Sequence, residues 1–308
     1  MERRKEIQGH LFAMFTIFIW GTTFISTKIL LKAFTPIEIL FIRFVIGYLV
    51  LLALYPHRLD VRERKQELYF AGAGLCGITL YFLLENIALT YTFASNVGVI
   101  ISIAPFFTVI FAHLFLDGEK MRAQFFVGFA VAVAGIFLIS FNGSSNLKLN
   151  PLGDVLAVLA AVVWAIYSVL TKKISGYHYH TILVTRRIFF YGVLFMIPVL
   201  FIVGFEPDIS QIIKPVNLFN ILFLGLGASA ICFVSWNYAL KILGAVKTSV
   251  YIYMVPVITV ITSVLILHET ITGIAVLGIL LTLAGLIISE IKLPREKDHG
   301  RSADHVFN

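Results

Sequence analysis

SNVGVIISIAPFFTVIFAHLFL, residues 95–116, runs for twenty-two residues without an acidic side chain, a lysine or an arginine, and holds a proline, Pro105, near its centre. A bilayer core about 30 Å thick takes about 20 apolar residues of helix to cross, so a stretch of this length and composition reads as a membrane span. The arrangement returns in TSVYIYMVPVITVITSVLIL, residues 248–267, where Pro256 answers Pro105 and Thr259 answers Thr108. Proline breaks the hydrogen-bond ladder of a helix, and its use twice in one setting calls for a shared reason.

The rest of the chain is of the same kind. Of its 308 residues 59% are hydrophobic and 13% charged, 28 are Phe, and the mean hydropathy is +0.94. That is too little polar surface for a soluble protein. Ten apolar stretches are long enough to span, near residues 9–31, 36–55, 68–90, 95–116, 123–141, 152–171, 180–203, 218–240, 248–267 and 272–290. The expected class is an all-α polytopic membrane protein of ten transmembrane helices. The first stretch follows a basic MERRK start, but it is too long for a signal peptide and lacks a small-residue cleavage site, so it reads as the first helix.

Basic residues mark cytoplasmic loops. With the amino terminus inside, 17 of the 24 Lys and Arg fall in cytoplasmic segments, 3 in external ones, and Lys28, Arg43, Arg186 and Arg187 inside helices. Both termini are therefore expected in the cytoplasm. The net charge of +7 reads as topology and affinity for anionic lipid headgroups, not as a nucleic-acid surface. Cys76 and Cys232 lie at helix depth and read as packed free thiols. The sequon at Asn142–Ser144 is too short a signal to carry weight.

The chain also repeats itself. At an offset of 144, Gly9, Trp20, Thr27, Lys28 and Arg43 fall on Gly153, Trp164, Thr171, Lys172 and Arg187; at 151, Asn86, Ala88, Leu89, Ala94 and Pro105 fall on Asn237, Ala239, Leu240, Ala245 and Pro256. At 150, Glu119, Gly128, Ala134 and Gly135 fall on Glu269, Gly278, Ala284 and Gly285. Residues 1–144 and 145–292 thus read as two five-helix repeats followed by a cytoplasmic tail, 293–308. Five is odd, so the second copy is inverted with respect to the first, a frequent plan among secondary transporters, which bind their cargo at the repeat interface.

WGTTF at 20–24 with WAIYS at 164–168, the arginine of the second helix in each half, the mid-helix proline of the fourth, and the closing AGIFLIS and AGLIISE resemble the drug/metabolite transporter superfamily, in its ten-helix EamA type, from about Gly9 to Glu290. The resemblance implies a proton-linked or facilitative carrier of small metabolites, often an exporter of amino acids or drugs, with its cavity between the halves. It implies residence in a bacterial or archaeal plasma membrane, and it leaves uptake by the same fold open.

The residues expected to line that cavity follow from depth and helical spacing. Each proline frees a carbonyl near the membrane midplane, which membrane helices tolerate along a cavity. Ser102 and Tyr253 lie one short helical step before Pro105 and Pro256; a plain packing kink is the rival reading. Tyr81, Glu85 and Asn86 on the third helix, and Trp236 and Asn237 on the eighth, add polar and aromatic groups. A carboxylate as deep as Glu85 marks a pathway, a partner or a proton site. It reads as a ligand for an amine or as the carrier of a coupling proton, against pairing with Arg43 or reaching outward to water. Asn86 and Asn237 also read as interhelical glue. Trp20 with Thr23, and Trp164 with Tyr167, read as an aromatic wall or as core packing. Arg43 and Arg187 read as clamps or gate partners first and as ligands for a substrate carboxylate second. The small-residue stripes Gly128/Gly135 and Gly278/Gly285 suit tight packing within the monomer or across a homodimer.

Other classes find little support. His268–Glu269 lacks the second histidine of a zinc protease motif, and no phosphate-cradling glycine loop occurs. No cofactor, metal or enzymatic step is expected.

Overall fold

The structure, a computed structural model, describes residues 2–91, 94–117, 123–140, 150–267 and 272–290. The sequon, Glu119, His268, Glu269 and the tail 293–308 lie outside the described residues. Among the described residues ten helical segments cross the molecule. They are α1 (Glu2–Leu30), α2 (Pro36–Leu54), α3 (Arg64–Tyr91), α4 (Ala94–Ile101, then Ala104–Phe115), α5 (Ala123–Ser140), α6 (Pro151–Ser175), α7 (Thr181–Val203), α8 (Pro215–Leu243), α9 (Ala245–Val250, then Met254–Leu267) and α10 (Gly273–Glu290). Six are individually long and apolar enough to span a membrane, and the remainder are shorter apolar helices. Among the described residues there is no strand.

Local chemistry sets the helix ends. Thr35 and Glu38 close a capping box on α2, the Thr35 amide donating to Glu38 Oε2 at 2.7 Å and the Glu38 amide to Thr35 Oγ1 at 3.4 Å. Buried Glu38 is thereby accounted for as a cap. Pro36, Pro151 and Pro215 open α2, α6 and α8, where the missing amide hydrogen costs nothing. Gly204 and Gly244 end α7 and α8 with φ of 88° and 91°, a conformation that favours glycine.

The halves exchange partners as a twofold relation requires. α1 packs on α8 as α6 packs on α3; α2 packs on α8 as α7 packs on α3; α1 packs on α9 as α6 packs on α4. α5 lies against α10 across the same relation. Gly128, Gly135 and Gly285 set that contact. A Cβ at Gly285 would lie 2.4 Å from the Ala132 amide nitrogen and 2.6 Å from the Gly128 carbonyl oxygen; one at Gly135 would lie 2.6 Å from the Gly278 carbonyl oxygen. The small-residue stripes expected to serve packing or a homodimer pack against each other inside the monomer.

Two features depart from the expected helices. Residues 95–116 are not one kinked helix: the chain turns at Ser102–Ile103, and Pro105 sits in the first turn of a fresh helix. In the other half a 3₁₀ turn, Tyr251–Tyr253, precedes the helix that holds Pro256. Both halves therefore change winding within one turn before the proline. Second, α3 and α8 are π-helical over Leu75–Leu80 and Phe223–Ile231. At the offset of 151 the first falls inside the second, so the wider winding belongs to the repeat.

Burial also corrects one pairing. α1 and α6 match at 144: Gly9, Ala13, Ile17 and Leu30 are buried, as are Gly153, Ala157, Ala161 and Ile174. α2 and α7 match at 145, with Arg43, Phe44, Gly47 and Leu51 buried against Ile188, Phe189, Gly192 and Met196. Arg43 is therefore the counterpart of Ile188, not of Arg187.

Candidate functional site

Where the halves meet lies a cavity of about 40 Å³. α1 contributes Ile17, Trp20, Thr23 and Phe24, α2 Arg43, α3 Tyr81, Phe82 and Glu85, and α4 Ile101; α6 and α9 of the other half supply Trp164, Ile252 and Val255. Of the expected residues, Trp20, Thr23, Arg43, Tyr81, Glu85 and Trp164 are brought together. The volume is room for about three waters.

Two opposite charges face this space. Arg43 is 3% exposed and Glu85 6%. The ion pairs among the described residues are Arg187–Glu67 and Lys247–Glu6, so Arg43 and Glu85 share a cavity without touching. The Arg43 Nε donates to Ser229 Oγ at 3.0 Å, and its guanidinium carbon lies 4.6 Å from the Phe82 ring centre and 5.1 Å from that of Phe44. Stacking on aromatic faces suits a weakly hydrated guanidinium.

The wall is aromatic. Trp20 meets Trp164 edge-on at 5.3 Å and Trp236 at 5.2 Å, and Tyr81 lies 4.7 Å from Trp164. The Trp20 Nε1 donates to the Ala228 carbonyl at 2.9 Å, and Thr23 Oγ1 donates back to the Trp20 carbonyl at 2.7 Å.

The other expected lining residues stand behind the wall, each for a visible reason. Trp236 is fully buried behind Trp20. Asn86 donates to the Pro36 carbonyl at 3.3 Å, one position round the helix from Glu85. Tyr167 donates to Asn237 Oδ1 at 2.7 Å, and Asn237 Nδ2 to Thr185 Oγ1 at 3.0 Å, a buried chain joining α6, α8 and α7. Ser102 donates to the Gly98 carbonyl at 2.8 Å, capping the broken end of the first α4 helix. Tyr253 packs against Phe129 on α5. Pro105 and Pro256 do not line the cavity, but Ile101 and Ile252, four residues before them, both do.

Arg187 lies elsewhere, at the end of the molecule rich in basic residues. Its Nη2 meets Glu67 Oε1 at 2.5 Å and its Nε meets Oε2 at 3.2 Å, while the Tyr191 hydroxyl donates to Oε2 at 2.7 Å. Beside it Tyr179 donates to Gln66 Oε1 at 2.7 Å, and Arg186 donates to the backbone carbonyls of Tyr55 and His57. The Lys173 ammonium sits 4.8 Å from the centre of the Tyr69 ring. Every one of these contacts joins one repeat to the other.

Sequence reasoning missed Ile17, Phe24, Phe82, Ile101, Ile252 and Val255, whose apolar side chains give no signal in an apolar chain. It also missed Ala228 and Ser229, which act from the π-helical turn of α8 without lining the cavity.

The model of the EamA-like transporter family matches residues 7–141 and again 151–290. An uncharacterized transporter of Archaeoglobus fulgidus is 29% identical over 288 residues, covering 92% of this chain and 97% of that protein. A probable terminal-alkyne amino-acid exporter of Streptantibioticus cattleyicolor is 30% identical over 278 residues, covering 89% and 90%. A solved crystal structure superposes with a TM-score of 0.73 at 21% identity over 92% of this chain and 96% of that one, which shows a shared fold. Two matches in tandem, on a helical membrane protein whose halves exchange partners about a common cavity, have one reading: the chain belongs to the EamA-like transporter family.

Proposed function

We propose that the protein is a secondary transporter that exports a small amine-bearing metabolite, such as an amino acid or a drug-like amine, by alternating access, with both termini in the cytoplasm and the chain in the plasma membrane. The observation that carries this is the cavity between the halves, where Glu85 and Arg43 stand buried and apart inside an aromatic wall. Buried charges in a membrane protein mark a pathway or a binding partner. Outward movement draws support from the exporter among the relatives; uptake by the same fold is the rival. The reading needs no enzymatic step, and in it Glu85 carries the coupling proton.

In vesicles holding the purified protein, radiolabelled leucine is expected to move saturably and emerge unchanged. A chemically altered product would replace the carrier by an enzyme, and linear, unsaturable leakage would leave no carrier at all.

Alternating access needs a contact that breaks when the basic end opens, and in this reading the Glu67–Arg187–Tyr191 cluster with its neighbours is that latch. Exchanging Glu67 for Gln removes the charge without changing shape. Amide hydrogen exchange at the starts of α3 and α7 is expected to quicken at least several-fold, with the rest of the chain protected as before. Identical exchange in the variant would remove the latch.

A further inference from the structure

Ser229 and Ala228 are neighbours on the π-helical turn of α8, outside the cavity, and each holds one side chain of its wall: Ser229 Oγ accepts from Arg43 Nε, and the Ala228 carbonyl accepts from Trp20 Nε1. Both held residues come from the first half and both holders from the second. A π-helical turn carries an extra residue, which re-aims the groups on it, and such turns frequently accompany functional sites.

The repeat shows that packing does not require the arginine or the serine. By the burial register the counterpart of Arg43 is Ile188, and at the offset of 151 the counterpart of Ser229 is Ile78; both isoleucines are fully buried in the core. One copy of the fold is therefore built with two aliphatic residues where the other has a cation and a hydroxyl. A buried guanidinium is costly unless it has partners. Arg43 has one neutral hydrogen bond and two aromatic faces, and its terminal nitrogens donate to no group among the described residues. They belong to a side chain that lines the cavity.

We infer that Ser229 is a positioning residue that holds Arg43 so its terminal nitrogens meet an anionic group, a carboxylate by geometry, on the transported molecule. Glu85 across the same cavity repels a simple anion, so the fitting cargo carries an ammonium as well. This rests on the amine-bearing cargo proposed above, narrows it to one that carries a carboxylate as well, and names the residue that presents the carboxylate's ligand. A planar fork donates two parallel hydrogen bonds to a carboxylate, which a lysine cannot reproduce.

Three matched probes separate the two readings in the full-length protein: leucine, 3-methylbutylamine, which keeps only the amine, and 4-methylpentanoate, which keeps only the carboxylate. Binding is read by thermal shift and transport as KM and maximal rate. In Ser229→Ala the KM for leucine is expected to rise about tenfold, the effect of losing one hydrogen bond to a charged group, while the affinity for 3-methylbutylamine stays as in the parent protein. In an Arg43→Lys background, Ser229→Ala is expected to add nothing, since Lys has no Nε–H fork to hold; additive losses would assign Ser229 a purely structural role. Equal weakening of leucine and 3-methylbutylamine, or no change in either, overturns the inference. If the parent protein binds the amine alone, the proposed function stands and the carboxylate ligand falls. If it binds 4-methylpentanoate alone, with Ser229 mattering, the amine reading falls and Arg43 stands. Binding of none of the three rejects both.

Discussion

Glu85→Gln is expected to lower the affinity for an amine-bearing substrate about ten- to a hundredfold and to flatten the dependence of transport on pH. Gln keeps the size of the side chain, so the cavity keeps its shape; what goes is one buried negative charge. A hydrogen bond to a charged group contributes about 1.5–3 kcal/mol, and about 1.4 kcal/mol is a factor of ten in affinity, which sets the range. Glu85 is buried and makes no ion pair among the described residues. A structural role would predict lost stability instead, because it would leave Arg43 without its nearest opposite charge. The two are told apart by measuring initial flux at several pH values beside the melting temperature. Wild-type kinetics across pH would take Glu85 out of the mechanism, and a lowered melting temperature with unchanged KM would make it a fold residue.

The second large effect is on folding. At Gly285 even a methyl group would sit 2.4 Å from the Ala132 amide nitrogen and 2.6 Å from the Gly128 carbonyl oxygen. Both neighbours are backbone, so no rotamer change relieves the clash and α5 and α10 must separate. In a bilayer, helix association rests on close van der Waals contact, not on the hydrophobic effect, so separation forfeits contacts along the whole pair. Overpacking typically costs about 1–3 kcal/mol. Gly285→Ala is expected to lower the melting temperature in detergent by several degrees, and Gly285→Leu to leave no monodisperse folded protein. A Leu variant that melts with the parent would mean the two helices do not meet there. The same reasoning makes Gly77→Ala destabilising, since its Cβ would lie 2.1 Å from the Tyr167 ring, although a ring can shift where a backbone cannot.

The class, the ten segments and the doubling were legible in the sequence, because a span must be about twenty apolar residues long and a repeat must return its residues in order. Much of the site was legible for the same kind of reason: Trp20, Arg43, Glu85 and Trp164 are costly or conspicuous at depth. What escaped reading was how the backbone winds. Nothing in LCGITL or FLGLGASAI marks a π-helical stretch, since any residue can take it, and the break at Ser102–Ile103 moves Pro105 off the cavity and puts Ile101 there. A one-residue difference in connection also escaped. Six residues separate Ile174 from Thr181 where five separate Leu30 from Pro36, so Arg43 and Arg187, matched by a constant offset, stand at unrelated places. Tyr167 and Asn237 show a further limit: depth tells that a polar group needs a partner, not whether that partner is cargo or another helix.

The chain has three tryptophans, and Trp20, Trp164 and Trp236 lie with ring centres 5.2–6.1 Å apart around or directly behind one cavity. No indole elsewhere dilutes their emission. Ultraviolet-excited fluorescence of the unlabelled protein is accordingly an optical signal of this one place: its intensity and colour follow the wetting and spacing of those three rings, and a change on adding a compound reports entry into the cavity without a dye, a tag or a substituted residue.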